Sequence, residues 1–167
     1  CTMNVTVATE LVRSHYEMSH KQYEQAAAKV SAGSDGLILL PYLEGERTPN
    51  VPAGTGVWFG VNSRTNSSAH FARAAMEGVT LGMNYGLRRL ATLGVKAKQI
   101  RATGGGAQSQ LWRQIMADVF NAEVVTLAVS EGAAYGAALQ AMWCWWKNRG
   151  EKVSISDLSD RFVKVNA

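Results

Sequence analysis

The sequence predicts an α/β domain in which helices pack in layers against a sheet. Segments with apolar residues at helical spacing alternate along the chain with short apolar or β-branched segments of strand length, and this alternation is typical of α/β folds. The chain has 167 residues, of which 47% are hydrophobic and 18% are charged. That length corresponds to about one domain, and the composition is sufficient for a real core.

The first part of the chain predicts two helices and a strand. Residues 6–17 carry apolar side chains at helical spacing. Ser19 is placed to cap a second helix, which Gly33 is expected to end. The continuous apolar run GLILLPYL, residues 36–43, predicts a buried strand or its exit. The helical residues expected to face inward are Ala8, Leu11, Val12, Tyr16, Tyr23, Ala26, Ala27 and Val30.

Residues 44–66 are polar and rich in glycine and proline, so we expect a long loop there. Loops of that length in compact domains tend to be functional or mobile. The segment LPYLEGERTP couples the apolar strand to Glu44, Glu46 and Arg47. The alternative for these charges is a solvated turn, whose Arg–Glu pair adds little stability.

A long helix is predicted over residues 68–93, and the alternation continues after it. Ser67 or Ser68 caps this helix, and Gly94 ends it. Its inward face is expected to carry Phe71, Ala75, Val79, Met83, Leu87 and Leu90. The following elements are predicted as a strand at 98–103, a helix at 109–120, a strand at 122–129 and a helix at 131–148. The C-terminal segment DLSDRFVKVNA is weakly patterned.

Charge and cysteine content narrow the classes of protein. The formal net charge is +4 at pH 7, but the basic residues are scattered and do not interleave with aromatic residues, so we expect no nucleic-acid partner. Cys1 and Cys144 are far apart and predict free thiols in a reducing compartment. No apolar run reaches the roughly 20 residues of a membrane helix, and no secretory signal is seen. The sequence therefore predicts a cytoplasmic protein with no membrane partner.

The stretch RATGGGAQSQLWRQ, residues 101–114, is the strongest candidate for a ligand site. A predicted strand ends at Thr103, three glycines follow, and a helix is expected from about Ser109. Backbone N–H groups thus lie at a helix N-terminus, where glycine lets a base or a phosphate approach closely. The code GxGxxG fails at Ser109, which disfavours a dinucleotide-binding redox domain, and no Gly-Lys-Ser/Thr follows to make a phosphate loop. A ligand site and a tight strand-to-helix turn both remain open.

The other chemistry-bearing residues form no recognisable active site. The carboxylates are dispersed, and we expect structural roles for Glu77 and for Glu131, which is placed to cap the last helix. His70 is expected to be a surface residue or a satisfied core residue, and no Ser–His–Asp arrangement can be argued. No catalytic residue and no metal ligand are therefore predicted within the chain. The small residues at 132–138 favour close packing against a neighbour or, alternatively, against a ligand.

Four segments together resemble the C-terminal domain of carbohydrate kinases of the FGGY family. They are LPYLEGERTPN at 40–50, GVWFGVNSRTNSSAHFARAAMEG at 56–78, RATGGGAQSQLWRQIMADVF at 101–120 and EGAAYGAALQA at 131–141. The second is similar to that family's second signature, including His70-Phe71 and the run from Ala74 to Glu77. The sequence of the first segment is most like that of xylulose kinases, whereas gluconate kinases of the family carry alanine where Thr48 stands. The resemblance covers roughly residues 1–148.

The resemblance implies an actin/hexokinase-like ATPase fold of the ribonuclease H-like type, with two α/β domains around a cleft. It implies an enzyme that transfers a phosphoryl group from ATP, with Mg²⁺, to a sugar hydroxyl. Position by position, it implies that Gly105, Gly106 and Ala107 lie against adenosine or the α-phosphate, and that Gln110 lies near adenine. The last helix, from Glu131, would back this site.

The resemblance also implies that much of the enzyme lies outside this chain. The family's N-terminal domain carries the first phosphate loop, the sugar pocket and the catalytic aspartate, so residues 1–167 are expected to be an incomplete C-terminal, nucleotide-side domain. The opening CTMNVTVATE, without an initiator methionine, also suggests a fragment. We expect the chain alone to be inactive and to bind ATP weakly or not at all.

The full enzyme is expected to convert the pentulose D-xylulose to D-xylulose 5-phosphate. Gluconate or another sugar is the alternative substrate. A non-catalytic module, which forms a homo-oligomer or associates with the missing part of the kinase, is the alternative function. The open edge expected of an incomplete sheet would favour such pairing.

Overall fold

The structure, a computed structural model, describes residues 2–166, so Cys1 lies outside the described part. Within these residues, all the predicted helices and strands are present, and three further elements occur. The helices are α1 (Val5–His15), α2 (His20–Ala27), α3 (Ser68–Thr92), α4 (Gln110–Phe120), α5 (Gly132–Asn148) and α6 (Ile155–Phe162). The strands are β1 (Ile38–Pro41), β2 (Gly56–Phe59), β3 (Gln99–Ala102), β4 (Glu123–Leu127) and β5 (Val165–Asn166).

The described chain divides into two compact units. Unit 1 comprises the described part of Cys1–Ala97 together with Gln114–Ala122, and unit 2 comprises Lys98–Arg113 together with the described part of Glu123–Ala167. Unit 1 contains an antiparallel sheet of β1 and β2. Unit 2 contains a three-stranded sheet in the order β3-β4-β5, with β3 parallel and β5 antiparallel to β4.

Helix α3 is the centre of unit 1, because α1, α2 and β1 all pack against it. A Cβ at Gly78 would run into the carbonyl oxygen of Leu39, so this glycine lets α3 lie directly on β1. The Tyr23 hydroxyl of α2 donates to the Ala72 carbonyl at 3.0 Å, and burial raises the pKa of Tyr23 well above its usual value. Burying a side chain such as Val79 contributes about 1.5–3 kcal/mol, so this centre supplies much of the stability of the unit.

The N-terminal capping signals of α2 and α3 are confirmed. Ser19 accepts a hydrogen bond from the amide of Gln22, whose side chain bonds back to Ser19 in a capping box. Ser67 caps α3, and Gly94 follows its end with φ at 88°. The predicted end of α2 at Gly33 is wrong, because the helix ends at Ala27.

Several predictions for unit 1 fail where tertiary pairing decides the outcome. The segment expected to be only loop contains β2, which pairs with β1 through the Leu39–Trp58 register. β1 is buried on one face only, with Leu39 and Pro41 inside and Ile38 and Leu40 exposed, as side-chain alternation in a strand requires. Leu11 and Leu90, expected to face inward, are each about half exposed.

The C-terminal segment of unit 2 is more ordered than its weak pattern predicts. It contains most of α6, which starts with a capping box between Ser154 and Asp157, and β5, which extends the sheet. Hydrogen bonds to Ser154 hold the pKa of Asp157 below its usual range. Leu158 is buried where α5 and α6 pack together. Among residues 2–166, no helix is long and apolar enough to cross a membrane.

Candidate functional site

The glycine turn, residues 104–109, joins β3 to α4 where the sequence places it. Gly104 has φ of 84° and ψ of −174°, a backbone conformation that is essentially restricted to glycine. A short 3₁₀ turn, Gly105–Gln108, then leads into α4. The amide of Ala107 donates to the Gly104 carbonyl at 3.1 Å, and the amide of Ser109 donates to the Gly106 carbonyl at 3.3 Å. The turn is therefore closed by its own backbone.

The three glycines of the turn do not share one environment. A Cβ added at Gly104 or Gly105 would meet no atom within 4 Å. A Cβ added at Gly106 would lie 3.1 Å from the indole ring of Trp112, which is tighter than ordinary packing allows. One side of the turn is therefore open at Gly104 and Gly105, and the other is filled by Trp112.

Ala107 and Gln110, the two other residues singled out by the sequence, lie at contrasting positions. Ala107 is 5% exposed, and its N–H and carbonyl both take part in hydrogen bonds within unit 2. Gln110 is exposed and is the first residue of α4. The Gln110 side chain is therefore accessible at the surface, whereas Ala107 is not.

Two residues from the start of α4 support the turn, and sequence reasoning assigned them no site role. Trp112 is 5% exposed and lies under Gly106. Its backbone amide donates to the Ser109 hydroxyl oxygen at 3.1 Å. Arg113 Nη1 donates to the carbonyl of Ala107 at 2.6 Å and to that of Gln108 at 3.3 Å. A long basic side chain one helical turn after a glycine turn is the signal that could have identified Arg113.

Helix α5 begins beside the glycine turn. A Cβ at Gly132 would lie 3.3 Å from the side chain of Thr103, the residue immediately before Gly104. The close packing expected of the small residues is thus found at the first helical residue, whereas a Cβ at Gly136 would meet nothing within 4 Å. Glu131 occupies the N-cap position, but its side chain makes no capping hydrogen bond, so its predicted capping role is wrong.

The segment that follows β1 is organised around a buried carboxylate. Glu46 is 4% exposed, which contradicts a solvated turn. Four N–H groups donate to its carboxylate, from the backbones of Met3 (3.0 Å), Arg47 (2.8 Å) and Thr48 (3.4 Å) and from the side chain of Asn4 (3.2 Å). Burial opposes ionisation of Glu46, but these donors outweigh it and hold its pKa below the usual range.

The Glu46 cluster, defined as Glu46 and its four donors, ties the start of α1 to the segment after β1. The Asn4 side chain also donates to the Gly45 carbonyl at 2.7 Å and accepts from the Glu44 amide at 3.3 Å. Each of these contacts ends within unit 1, so the role of the cluster is structural: it holds the start of α1 against the segment after β1. The Thr48 methyl lies 3.8 Å from where a Cβ at Gly86 would be, so Thr48 packs toward α3.

A left-handed turn, residues 33–36, contacts α3 at residues of the segment that resembles the family's second signature. Four consecutive residues, 33–36, have φ between 50° and 88°. Glu77 accepts from the Gly33 amide at 3.0 Å and from Arg73 at 2.6 Å. This confirms a structural role for Glu77, whose carboxylate holds the turn against α3.

His70 forms a Ser–His–Asp chain that sequence reasoning did not anticipate. Its Nδ1 lies 2.7 Å from Ser67 Oγ, and its Nε2 lies 3.1 Å from Asp35 Oδ2. Ser67 Oγ also accepts from the His70 backbone amide as the cap of α3, and Ser67 and His70 belong to the same helical turn. This local geometry fastens the left-handed turn to α3 and leaves the Ser67 oxygen engaged as a cap.

Comparisons with known proteins agree with this architecture. Residues 4–145 match the model of the FGGY family of carbohydrate kinases, C-terminal domain. The chain is 38% identical over 143 residues to a xylulose kinase of Haemophilus influenzae, covering 86% of this chain and 29% of that protein. It is 35% identical to a gluconokinase of Bacillus subtilis, covering 86% of this chain and 27% of that protein.

A solved structure of ligand-bound xylulose kinase from Lactobacillus acidophilus superposes with a TM-score of 0.87 at 27% identity, covering 99% of this chain and 33% of that chain. The chain thus spans about a third or less of the length of these relatives. The actin/hexokinase-like ATPase fold expected from the four segments is confirmed. This chain belongs to the FGGY family of carbohydrate kinases and corresponds to the family's C-terminal domain.

Proposed function

We propose that this chain carries the adenosine half of the ATP site of a sugar kinase, with the glycine turn as the surface on which adenosine lies. The observation that carries the proposal is the open side at Gly104 and Gly105, at the start of an 11-residue helix, in a chain of this family. Glycine without a Cβ lets a planar base or a ribose approach the backbone closely.

The residues of the turn make different contacts with the nucleotide in this proposal. Gly105 and Gly106 provide backbone contact with adenosine or the α-phosphate, and the buried Ala107 contributes backbone surface only. Gln110 is exposed, and its amide can both donate to and accept from an adenine edge. The turn contains no lysine, so it supplies no side-chain cation for the terminal phosphates.

The chemistry of phosphoryl transfer lies in the rest of the kinase. Transfer needs a positioned base and a metal ion at the transferred phosphate. Among residues 2–166, no group of three His, Cys, Asp or Glu side chains could hold a metal ion. In this proposal residues 1–167 are the nucleotide-side part of a cytoplasmic enzyme whose sugar-binding domain lies outside them.

D-Xylulose is the substrate that we propose for the complete enzyme, with D-xylulose 5-phosphate as the product. The xylulose kinases among the relatives support this, whereas the gluconokinase of comparable identity supports gluconate as the second candidate. Thr48, where gluconate kinases of the family carry alanine, packs toward Gly86 of α3. A T48A variant is therefore expected to change packing rather than sugar choice.

Calorimetric titration of the 167-residue chain with ATP, followed by an assay for ADP release with xylulose, tests whether this chain carries only part of the ATP site. We expect weak binding, in the millimolar range, and no turnover with either xylulose or gluconate. Tight ATP binding together with phosphorylation of xylulose would contradict the proposal, because the chain would then contain the base and the metal ligands.

A further inference from the structure

We infer that Arg113 is a positioning residue for the nucleotide site. Its guanidinium holds the Ala107 and Gln108 carbonyls toward α4, which leaves the open side at Gly104 and Gly105 available to the nucleotide. The inference rests on the proposed function of the glycine turn. Arg113 is assigned no contact with the ligand, since it acts through the backbone of the turn.

The contacts of Arg113 are specific for the last part of the turn. One nitrogen, Nη1, donates to the carbonyl of Ala107 at 2.6 Å and to that of Gln108 at 3.3 Å. Arg113 is half-buried, and its guanidinium is always charged. Both contacts are charge-assisted, and such hydrogen bonds are stronger than those between neutral groups. The contact to Ala107 is the shorter of the two and therefore the dominant one.

The position of Arg113 in the helix explains its reach. It is the fourth residue of α4, and helical side chains lean toward the helix N-terminus. An arginine at this point is therefore directed back over the turn that precedes the helix. A cation in the first helical turn opposes the helix dipole, and the two carbonyl contacts offset that unfavourable placement.

The carbonyl groups explain why such a clamp matters for a nucleotide. Those of Gly104 and Gly106 accept hydrogen bonds from amides within the turn, and Arg113 engages those of Ala107 and Gln108. A carbonyl oxygen released from such a contact can reorient, and it would then repel a phosphate or the acceptor nitrogens of adenine. Arg113 thus fixes the peptide orientations on which close approach at the glycines depends.

The test compares the wild-type chain with R113M, R113K and the matched control R101M. Arg101 is an exposed arginine of β3 in the same unit, with its side chain 3.4 Å from Gln99. Amide hydrogen exchange of residues 104–109 is measured without nucleotide, ADP affinity is measured by NMR titration, and the thermal midpoint is recorded for each variant.

We expect R113M to accelerate exchange of the Ala107 and Ser109 amides and to weaken ADP binding, each about tenfold. The thermal midpoint of R113M should stay close to that of R101M. R113K should recover part of both effects, because its ammonium can reach one carbonyl. R101M should exchange and bind ADP as the wild type does.

Two results would overturn the inference. In the first, R113M exchanges at residues 104–109 and binds ADP like the wild type. In the second, R113M loses ADP binding only because its thermal midpoint collapses, while R113K restores the midpoint without restoring affinity. Failure of the proposed function looks different, since the wild type itself would then show no ADP-dependent change at residues 104–110. That outcome would also remove the nucleotide role of Arg113.

Discussion

The Glu46 cluster and the glycine turn both follow a strand and both lie in segments that resemble a family motif, yet they are built in opposite ways. In the Glu46 cluster, N–H groups from two parts of unit 1 converge on one buried carboxylate. In the glycine turn, the carbonyl groups are engaged and one face stays open at Gly104 and Gly105. The hydrogen bonds of both segments end within the protein, so the open face at Gly104 and Gly105 is the feature that separates the proposed ligand surface from a purely structural cluster.

Replacing Glu46 should give the largest loss of stability. E46A removes the acceptor of four N–H groups in a buried place, and we expect the free energy of unfolding to fall by about 4 kcal/mol. Urea denaturation of E46A and of the exposed control E44A measures the effect. A loss no greater than that of E44A would show that the cluster is not a structural fastening.

Breaking the Arg73–Glu77 pair should have the next largest effect. The two side chains are 10% and 13% exposed, and they lie 2.6 Å apart. R73M would leave the Glu77 carboxylate nearly buried with the Gly33 amide as a partner, and we expect a loss of about 3 kcal/mol. The more exposed pair of Arg13 and Glu10 provides the comparison in urea denaturation, since R13M should cost less than R73M.

The neighbouring glycines allow a direct test of the two faces of the turn. G106A would press a methyl group on Trp112 and should destabilise the protein by about 2 kcal/mol. G105A has open space for its methyl group, so we expect little change in stability but an ADP affinity about fivefold to tenfold lower. If G105A binds ADP as the wild type does, adenosine does not lie on this face.

Lowering the pH should give the smallest of these effects, a loss of the stability that ionised Glu46 contributes. Because its folded pKa lies below the unfolded value, its ionised form stabilises the protein above the unfolded pKa of about 4.3. That stabilisation is lost as the pH falls from there through the folded pKa. The stability difference between wild type and E46Q should therefore shrink over this window, and a difference that is constant from neutral pH to pH values below the window would contradict the assignment.

The sequence predicts the features that depend on neighbours along the chain. Ser19 and Ser67 cap helices because the signal and its target lie within three residues. The glycine turn is also local, and its place between β3 and α4 follows from the residues on either side. The resemblance to a known family adds the fold, which no local pattern specifies.

The remaining features depend on partners distant in sequence. Glu46 is buried because Met3 and Asn4, which lie more than 40 positions earlier in the chain, donate hydrogen bonds to it. β2 is a strand because β1 lies beside it, although its glycine-rich surroundings favour a loop. The need for Gly106 depends on which way the Trp112 ring turns, and residue order alone does not give that orientation.

Binding of adenosine at the glycine turn is tested most directly by an NMR titration of the wild-type chain with ADP at millimolar concentrations. If adenosine lies on the glycine turn, we expect saturable shift changes at the amides of residues 104–107 and at the side-chain amide of Gln110, with residues 44–48 unchanged. Shifts confined to the segment around Glu46, or no change at the glycine turn while the protein remains folded, would contradict this binding.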